Sequence, residues 1–168
     1  LEVAASDVTE TGAYTVTVAT EADDYGNTTK TAGTIASEDP YPGEIQWAND
    51  QDWIKLSVGP LAIYRVRVTE GDGDSTQDLN DLVLRDSKGN ALTDNVSFQS
   101  NGDVSTLAFF NDSNRVTSVY LDISGADATT LDLDYTVTAE LYMEDDYIGG
   151  GGVDIQQVWN TLPASFWA

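Results

Sequence analysis

The sequence has no cysteine and no histidine among its 168 residues. Without cysteine there are no disulfides and no thiolate metal sites. Without histidine, Ser-His-Asp and Cys-His catalysis are excluded and a zinc enzyme site is disfavoured. Basic residues are also scarce: seven Lys and Arg stand against 29 Asp and Glu, a formal net charge of −22. Seven cations cannot build a phosphate-tracking stripe, which argues against nucleic acid, and the same charge argues against an anionic membrane surface. No apolar run approaches the length of a membrane span, and no signal-peptide pattern opens the chain. The chain starts in mid-pattern at Leu1-Glu2-Val3 and reads as a piece of something longer.

Such an excess of negative charge repels itself in a compact state. Disorder is nonetheless excluded, because 40% of the residues are apolar, 10% are aromatic, and the apolar ones alternate. The length suits one domain with its own core. Tyr14, Val16 and Val18 share one face of a period-2 segment, and Ile54, Leu56 and Val58 another. Tyr64-Arg65-Val66-Arg67-Val68 alternates with both arginines outward. Leu82 to Arg85, Leu107 to Phe110, then Val119, Leu121 and Ile123, and finally Tyr135, Val137 and Ala139 continue the series. Turn residues separate the runs at Pro40, Pro42-Gly43, Gly59-Pro60, Gly71-Asp72-Gly73, Lys88-Gly89-Asn90, Asn101-Gly102 and Ser124-Gly125. This pattern predicts an all-β chain, an antiparallel β-sandwich with one face of each sheet buried.

The string Tyr14-Thr15-Val16-Thr17, followed by Asp23-Asp24-Tyr25, recurs as Tyr135-Thr136-Val137-Thr138, followed by Asp145-Asp146-Tyr147. The echo divides the chain into residues 1–20, the end of a preceding repeat or an extension; 21–142, the sandwich; and 143–168, a linker and apolar tail leading to a following domain. Gly149 to Gly152 reads as linker. Ile155, Val158, Trp159 and Leu162 share one face of a short amphipathic helix, which has to dock somewhere.

Three acidic groups punctuate this frame: Glu21, Asp23 and Asp24 after a strand; Asn49, Asp50 and Asp52 before Trp53; and Glu70, Asp72, Asp74, Asp78 and Asp81 in a glycine-containing loop. Calcium takes six to eight hard oxygen ligands, and neither of the first two groups suffices alone. Together, at one end of a sandwich, they would. The third group has the acidic density of an EF-hand loop without its order, and is a second calcium candidate. For all three, plain solvation of loop acids is the competing reading. A carboxylate pair could also serve glycoside hydrolysis, but that chemistry wants a cleft with aromatic platforms.

Four motifs in order add a family likeness. Glu21-Ala22-Asp23-Asp24-Tyr25, then Gly43-Glu44-Ile45 leading to Asn49-Asp50-Gln51-Asp52-Trp53-Ile54, then Tyr64 to Val68, then Asp78-Leu79-Asn80-Asp81 through Asp86-Ser87-Lys88-Gly89-Asn90 together resemble the bacterial pre-peptidase C-terminal domain. The resemblance spans roughly residues 21–141 and implies a jelly-roll-like sandwich. It also implies a calcium site made by Glu21, Asp23, Asp24, Asn49 and Asp52, with the Trp53 carbonyl as a further ligand. Asn49 departs from the family's usual Gly or Asp. Such domains accompany secreted proteases and repeat-in-toxin adhesins. The resemblance thus implies a secreted or cell-surface bacterial location and a non-catalytic module that binds Ca²⁺ and a protein or peptide ligand. A calcium-rigidified spacer between neighbouring domains and a glycan-binding module are the alternatives. A ligand-binding module should carry a concave aromatic patch, drawn from Trp47, Tyr64 or Tyr120; a spacer should not.

Overall fold

The structure is a computed structural model and describes residues 15, 17, 22–30, 33–35, 39–73, 77–125, 132–144 and 154–167. Two sheets face each other, as the alternation predicts. One holds β1 (Thr34–Ile35), β3 (Gln51–Val58), β8 (Thr117–Ser124) and β5 (Val83–Arg85), in the order β1-β3-β8-β5. The other holds β2 (Tyr41–Ile45), β9 (Leu133–Glu144), β4 (Ala62–Glu70), β7 (Val104–Asn111) and β6 (Val96–Asn101), in the order β2-β9-β4-β7-β6. Every pairing is antiparallel except that of β1 with β3. The fold is an all-β, antiparallel sandwich.

The inward rows are those of the sequence pattern. Ile54, Leu56 and Val58 of β3 and Val119, Leu121 and Ile123 of β8 face Val66 and Val68 of β4 and Tyr135 and Val137 of β9 in one core. Arg65 and Arg67 stay partly exposed.

The two edge strands add to the expected frame, and β2 includes the expected Gly43-Glu44-Ile45 strand. Pro42-Gly43 is not a turn but lies within β2, which pairs with β9 from Tyr41↔Val137 to Ile45↔Leu133. β2 is an edge strand, where a proline without an N–H costs no ladder bond. Gly43 is needed for space: a Cβ there would sit 2.3 Å from the Tyr135 hydroxyl oxygen. β6, whose residues Val96 to Asn101 alternate weakly, is the opposite edge strand and closes on β7 through Asn101↔Val104, with Gly102 at a left-handed φ of 58°.

The run Leu107 to Phe110 shows no alternation of burial because β7 is covered on both sides. The outer cover is the tail. α1 (Ile155–Trp159) is capped by the Asp154 carboxylate, which accepts from the N–H groups of Gln156 and Gln157. With α2 (Ala164–Trp167), α1 lays Ile155 and Phe166 on Ile63, Ala108 and Phe110. Arg65 fixes the end of the tail. It pairs with Glu140, donates from Nη1 to the Phe166 carbonyl at 2.8 Å, and lies 5.5 Å from the centre of the Phe166 ring. The tail therefore docks on this domain. Most of residues 1–20 and Asp145 to Tyr147, which carry the two outer parts of the sequence echo, lie outside the described residues.

Candidate metal centre

The alternation that builds the core also buries two carboxylates. Asp52 is in phase with Ile54, Leu56 and Val58, so its side chain enters the sandwich and is fully buried. Glu70 ends the inward row of Val66 and Val68 on β4 and is 4% exposed. Tyr135 stands opposite Glu70 in the β4–β9 ladder, and its hydroxyl crosses between the sheets to donate to Asp52 Oδ2 at 2.6 Å. Both acids thus lie at one pole of the sandwich, the pole away from the 59–61 link between β3 and β4.

The segment before β1 is stitched over this pole. Asp24 accepts from the N–H of Tyr25 at 2.9 Å and from the N–H of Glu44 at 3.1 Å, which ties it to β2. Gln46 donates to the Ala22 carbonyl at 2.9 Å, and the Trp53 N–H donates to Gly26 at 3.3 Å. Tyr25 stacks on Tyr41 and donates to the Pro42 carbonyl. One carboxylate oxygen from each of Asp23, Asp24 and Asp52 consequently lies within 4.8 Å of the others. Two stretches of sequence separated by more than a full strand are brought together, as the sandwich reading requires.

The electrostatics of the group are unfavourable as it stands. Burial, opposed by the Tyr135 hydrogen bond and reinforced by the charges of Asp24, Asp50 and Asp23, pushes the Asp52 carboxyl up to about 8. Burial, with the negative charge of Asp52 next, drives the Tyr135 hydroxyl far above its ordinary value, so it acts as a fixed donor. Partial burial and the Asp50 charge raise Asp23, and burial raises Asp24 against its two backbone hydrogen bonds. Asp52 Oδ1 is buried with no hydrogen-bond partner. A buried acceptor left without a donor is costly, and these are the residues that could hold a hard cation.

The other sequence-predicted residues fall as follows. Asn49 is exposed and takes a left-handed φ of 65°, a conformation that Asn tolerates better than most residues. Its neighbour Asp50 is buried and closes the loop, accepting from the N–H of Gln46 at 2.8 Å and of Gln51 at 2.9 Å. The Trp53 side chain points to the opposite face of β3 from Asp52, under the Arg85 guanidinium at 4.7 Å. Glu21 and Asp74 lie outside the described residues. Glu70, Asp72 and Asp78 form a second group with oxygens within 4.8 Å of one another. In that group Glu70 already accepts from the N–H groups of Asp78 and Leu79 through both oxygens, so it organises its own loop. Asp81 is exposed and stands outside both groups. Asp50, named with the second acidic group, closes its loop instead of facing the other carboxylates, and Tyr135 is a part of the site that the acidic pattern does not indicate. The phase of Tyr135 with Leu133 and Val137 was the available signal.

No family model matches the chain, and no curated protein matches it. Among solved structures it is similar to the pre-peptidase C-terminal domain of collagenase from Bacillus anthracis. The identity is 16% and the TM-score 0.49, over 64% of this chain and 93% of that one.

Proposed function

We propose that the chain is a non-catalytic, calcium-binding accessory module of a secreted multidomain protein, with a protein or peptide as its ligand. The observation that carries the calcium reading is Asp52, a fully buried carboxylate with one oxygen unpartnered, gathered with Asp23 and Asp24. Asp23, Asp24 and Asp52 would hold the ion, and Tyr135 would keep the second Asp52 oxygen in place. The ion would neutralise charges that otherwise oppose closure of the pole, and so lock the segment before β1 onto the sandwich. The test is thermal unfolding in EDTA and in excess Ca²⁺. At a thousandfold excess over Kd, mass action adds about 4 kcal/mol, which is a rise in Tm of about 8–16 °C. An identical melt in both conditions sinks the proposal.

One observation favours the spacer reading for the module's role. Among the described residues no concave aromatic patch forms from the expected ones: the Tyr64 hydroxyl is bound by the Gly59 N–H, Tyr120 is buried against Trp53, and Trp47, 39% exposed, has no aromatic ring against it. A peptide ligand would therefore have to be held by polar groups rather than aromatic ones.

A further inference from the structure

The two sheets end in four edge strands, and three of them are guarded. β1 is only two residues long, and its Thr34 N–H donates to the Tyr41 hydroxyl. On β2 the outward Pro42 carbonyl accepts from Tyr25, and the outward Glu44 N–H donates to Asp24. Along β5 the chain folds back, so that Leu92 donates to the outward Leu84 carbonyl at 2.7 Å and Ala91 pairs with Arg85. Short strands, prolines and covering segments are the ordinary means of blocking further pairing at a sheet edge.

β6 carries no such guard among the described residues. It is six residues long, Val96-Ser97-Phe98-Gln99-Ser100-Asn101, without proline or charge in a chain where 21% of residues are charged. Its register with β7 is unbroken, and the bonds beside it fix which way its backbone groups point. Phe110 donates to the Asn95 carbonyl at 2.9 Å, so residues 95, 97, 99 and 101 are the ones bonded to β7. The Glu70 N–H donates to the Asp103 carbonyl, which assigns the odd-numbered residues of β7 to β4 and agrees with this. The N–H and C=O groups of Val96, Phe98 and Ser100 therefore face the open edge, where no described residue bonds them. Val96 and Phe98 pack against the core yet stay partly exposed, because the sheet stops there. One more strand would satisfy the backbone and cover both side chains.

β6 also dictates what that strand looks like. Residues opposite Val96, Phe98 and Ser100 turn their side chains inward and have to be apolar. Those between them lie beside Ser97, Gln99 and Asn101 and can be polar. A second copy of the chain is a poor occupant, since it brings a further net charge of −22 to the same edge. Asp94 and Asp112 stand exposed beside the start of β6, Asp112 held there by the Asn95 amide at 3.0 Å. A segment free of acids and basic at its ends is the complement.

We infer that β6 binds an extended segment of a partner protein by antiparallel strand addition, the segment being apolar at alternate positions and flanked by lysine or arginine. The inference gives the peptide-binding part of the proposed function a place and rests on that part. It does not rest on calcium, because β6 shares no residue with the Asp23–Asp24–Asp52 group.

The test is amide hydrogen exchange and NMR titration of the full chain, ¹⁵N-labelled and calcium-loaded, with acetyl-Lys-Val-Thr-Val-Thr-Val-Lys-amide. The dilute chain alone should protect the amides of Ser97, Gln99 and Asn101 and leave those of Val96, Phe98 and Ser100 open. The peptide should protect the second set and shift resonances along β6. N-methylation of its central valine, whose N–H faces β6, should weaken binding about tenfold, and N-methylation of a threonine, whose N–H faces away, should leave it unchanged. Ser100→Pro deletes an outward N–H without touching the β7 ladder and should weaken the peptide about fivefold. The N-methylated pair reads the same contact on the native chain, whatever that variant does to folding. Equal losses from both methylated peptides overturn the inference, as do undiminished binding by a folded Ser100→Pro variant and the absence of any response. Protection of Val96, Phe98 and Ser100 in the dilute chain without peptide would show the edge already covered, and a concentration-dependent dimer through β6 would show a second copy there; either overturns it. Binding with shifts confined to another surface would sink this inference and leave a peptide ligand standing.

Discussion

Replacing Asp52 by Asn separates the cost of the buried charge from its use. Asn has the same shape and keeps an oxygen for the Tyr135 hydroxyl, so the packing of the core row is preserved. Without a cation, the native carboxyl stands at about 8 against an ordinary 3.8. Holding it ionised, or protonating it against the solution, therefore costs on the order of 5 kcal/mol at pH 7.5. Half of that corresponds to about 5–10 °C in Tm for a domain of this size. In EDTA, Asp52→Asn should accordingly melt higher than the native chain. In excess Ca²⁺ the order should reverse, because the native chain gains the binding energy and the variant loses a ligand. The assay is differential scanning calorimetry of both proteins in both buffers. If Asp52→Asn is destabilised equally with and without calcium, Asp52 is a structural hydrogen-bond acceptor and the metal account is wrong.

Acidity should act in the same sense. The folded state holds the Asp52 proton between about pH 4 and 8, where the unfolded chain has released it, so stability falls as pH rises through that window. Asp23, Asp24, Glu70 and Asp122 are raised as well and add to this slope, while Asp86, lowered by its Asn90 contacts, opposes it. In EDTA the Tm should be higher at pH 5.5 than at pH 7.5, and calcium should flatten the difference; a Tm in EDTA that climbs with pH contradicts this. Asp24→Ala should behave unlike Asp52→Asn, costing about 2 kcal/mol even in EDTA, because it strips the acceptor from the Tyr25 and Glu44 N–H groups; a neutral effect in a melt would count against the stitched segment. Phe166→Ala removes a side chain that is 1% exposed, should cost the tail about 3 kcal/mol of docking, and should shift Trp159 and Trp167 emission to the red; unchanged emission would refute the docked tail.

Much of the fold is legible in the sequence because the sandwich is built by period-2 alternation. The rows Ile54-Leu56-Val58 and Val119-Leu121-Ile123 need no further information to be placed inside. The edge strands are not legible in the same way. In β2 the family likeness marks Gly43-Glu44-Ile45 as a strand, but Pro42-Gly43 gives a turn signal that hides its start, one that an edge tolerates and that leaves room for the Tyr135 hydroxyl. β6 alternates too weakly to be told from loop.

The candidate site divides along the same line. That Asp23, Asp24 and Asp52 belong together is what the family resemblance implies; their spacing alone leaves plain solvation of loop acids open. That Asp52 is buried follows from counting two residues back from Ile54, a step that a habit of assigning acids to loops obscures. The contact of Tyr135 with Asp52 depends on how far the two sheets are offset, and no local pattern encodes that. The role of Asn49 is likewise visible only in its backbone angle.

The most direct measurement is anomalous diffraction from crystals grown in Ca²⁺, which locates the ion without reference to stability. A peak lying among the carboxylates of Asp23, Asp24 and Asp52 is predicted. Full occupancy elsewhere with nothing at this pole, or no peak at all, would contradict the account.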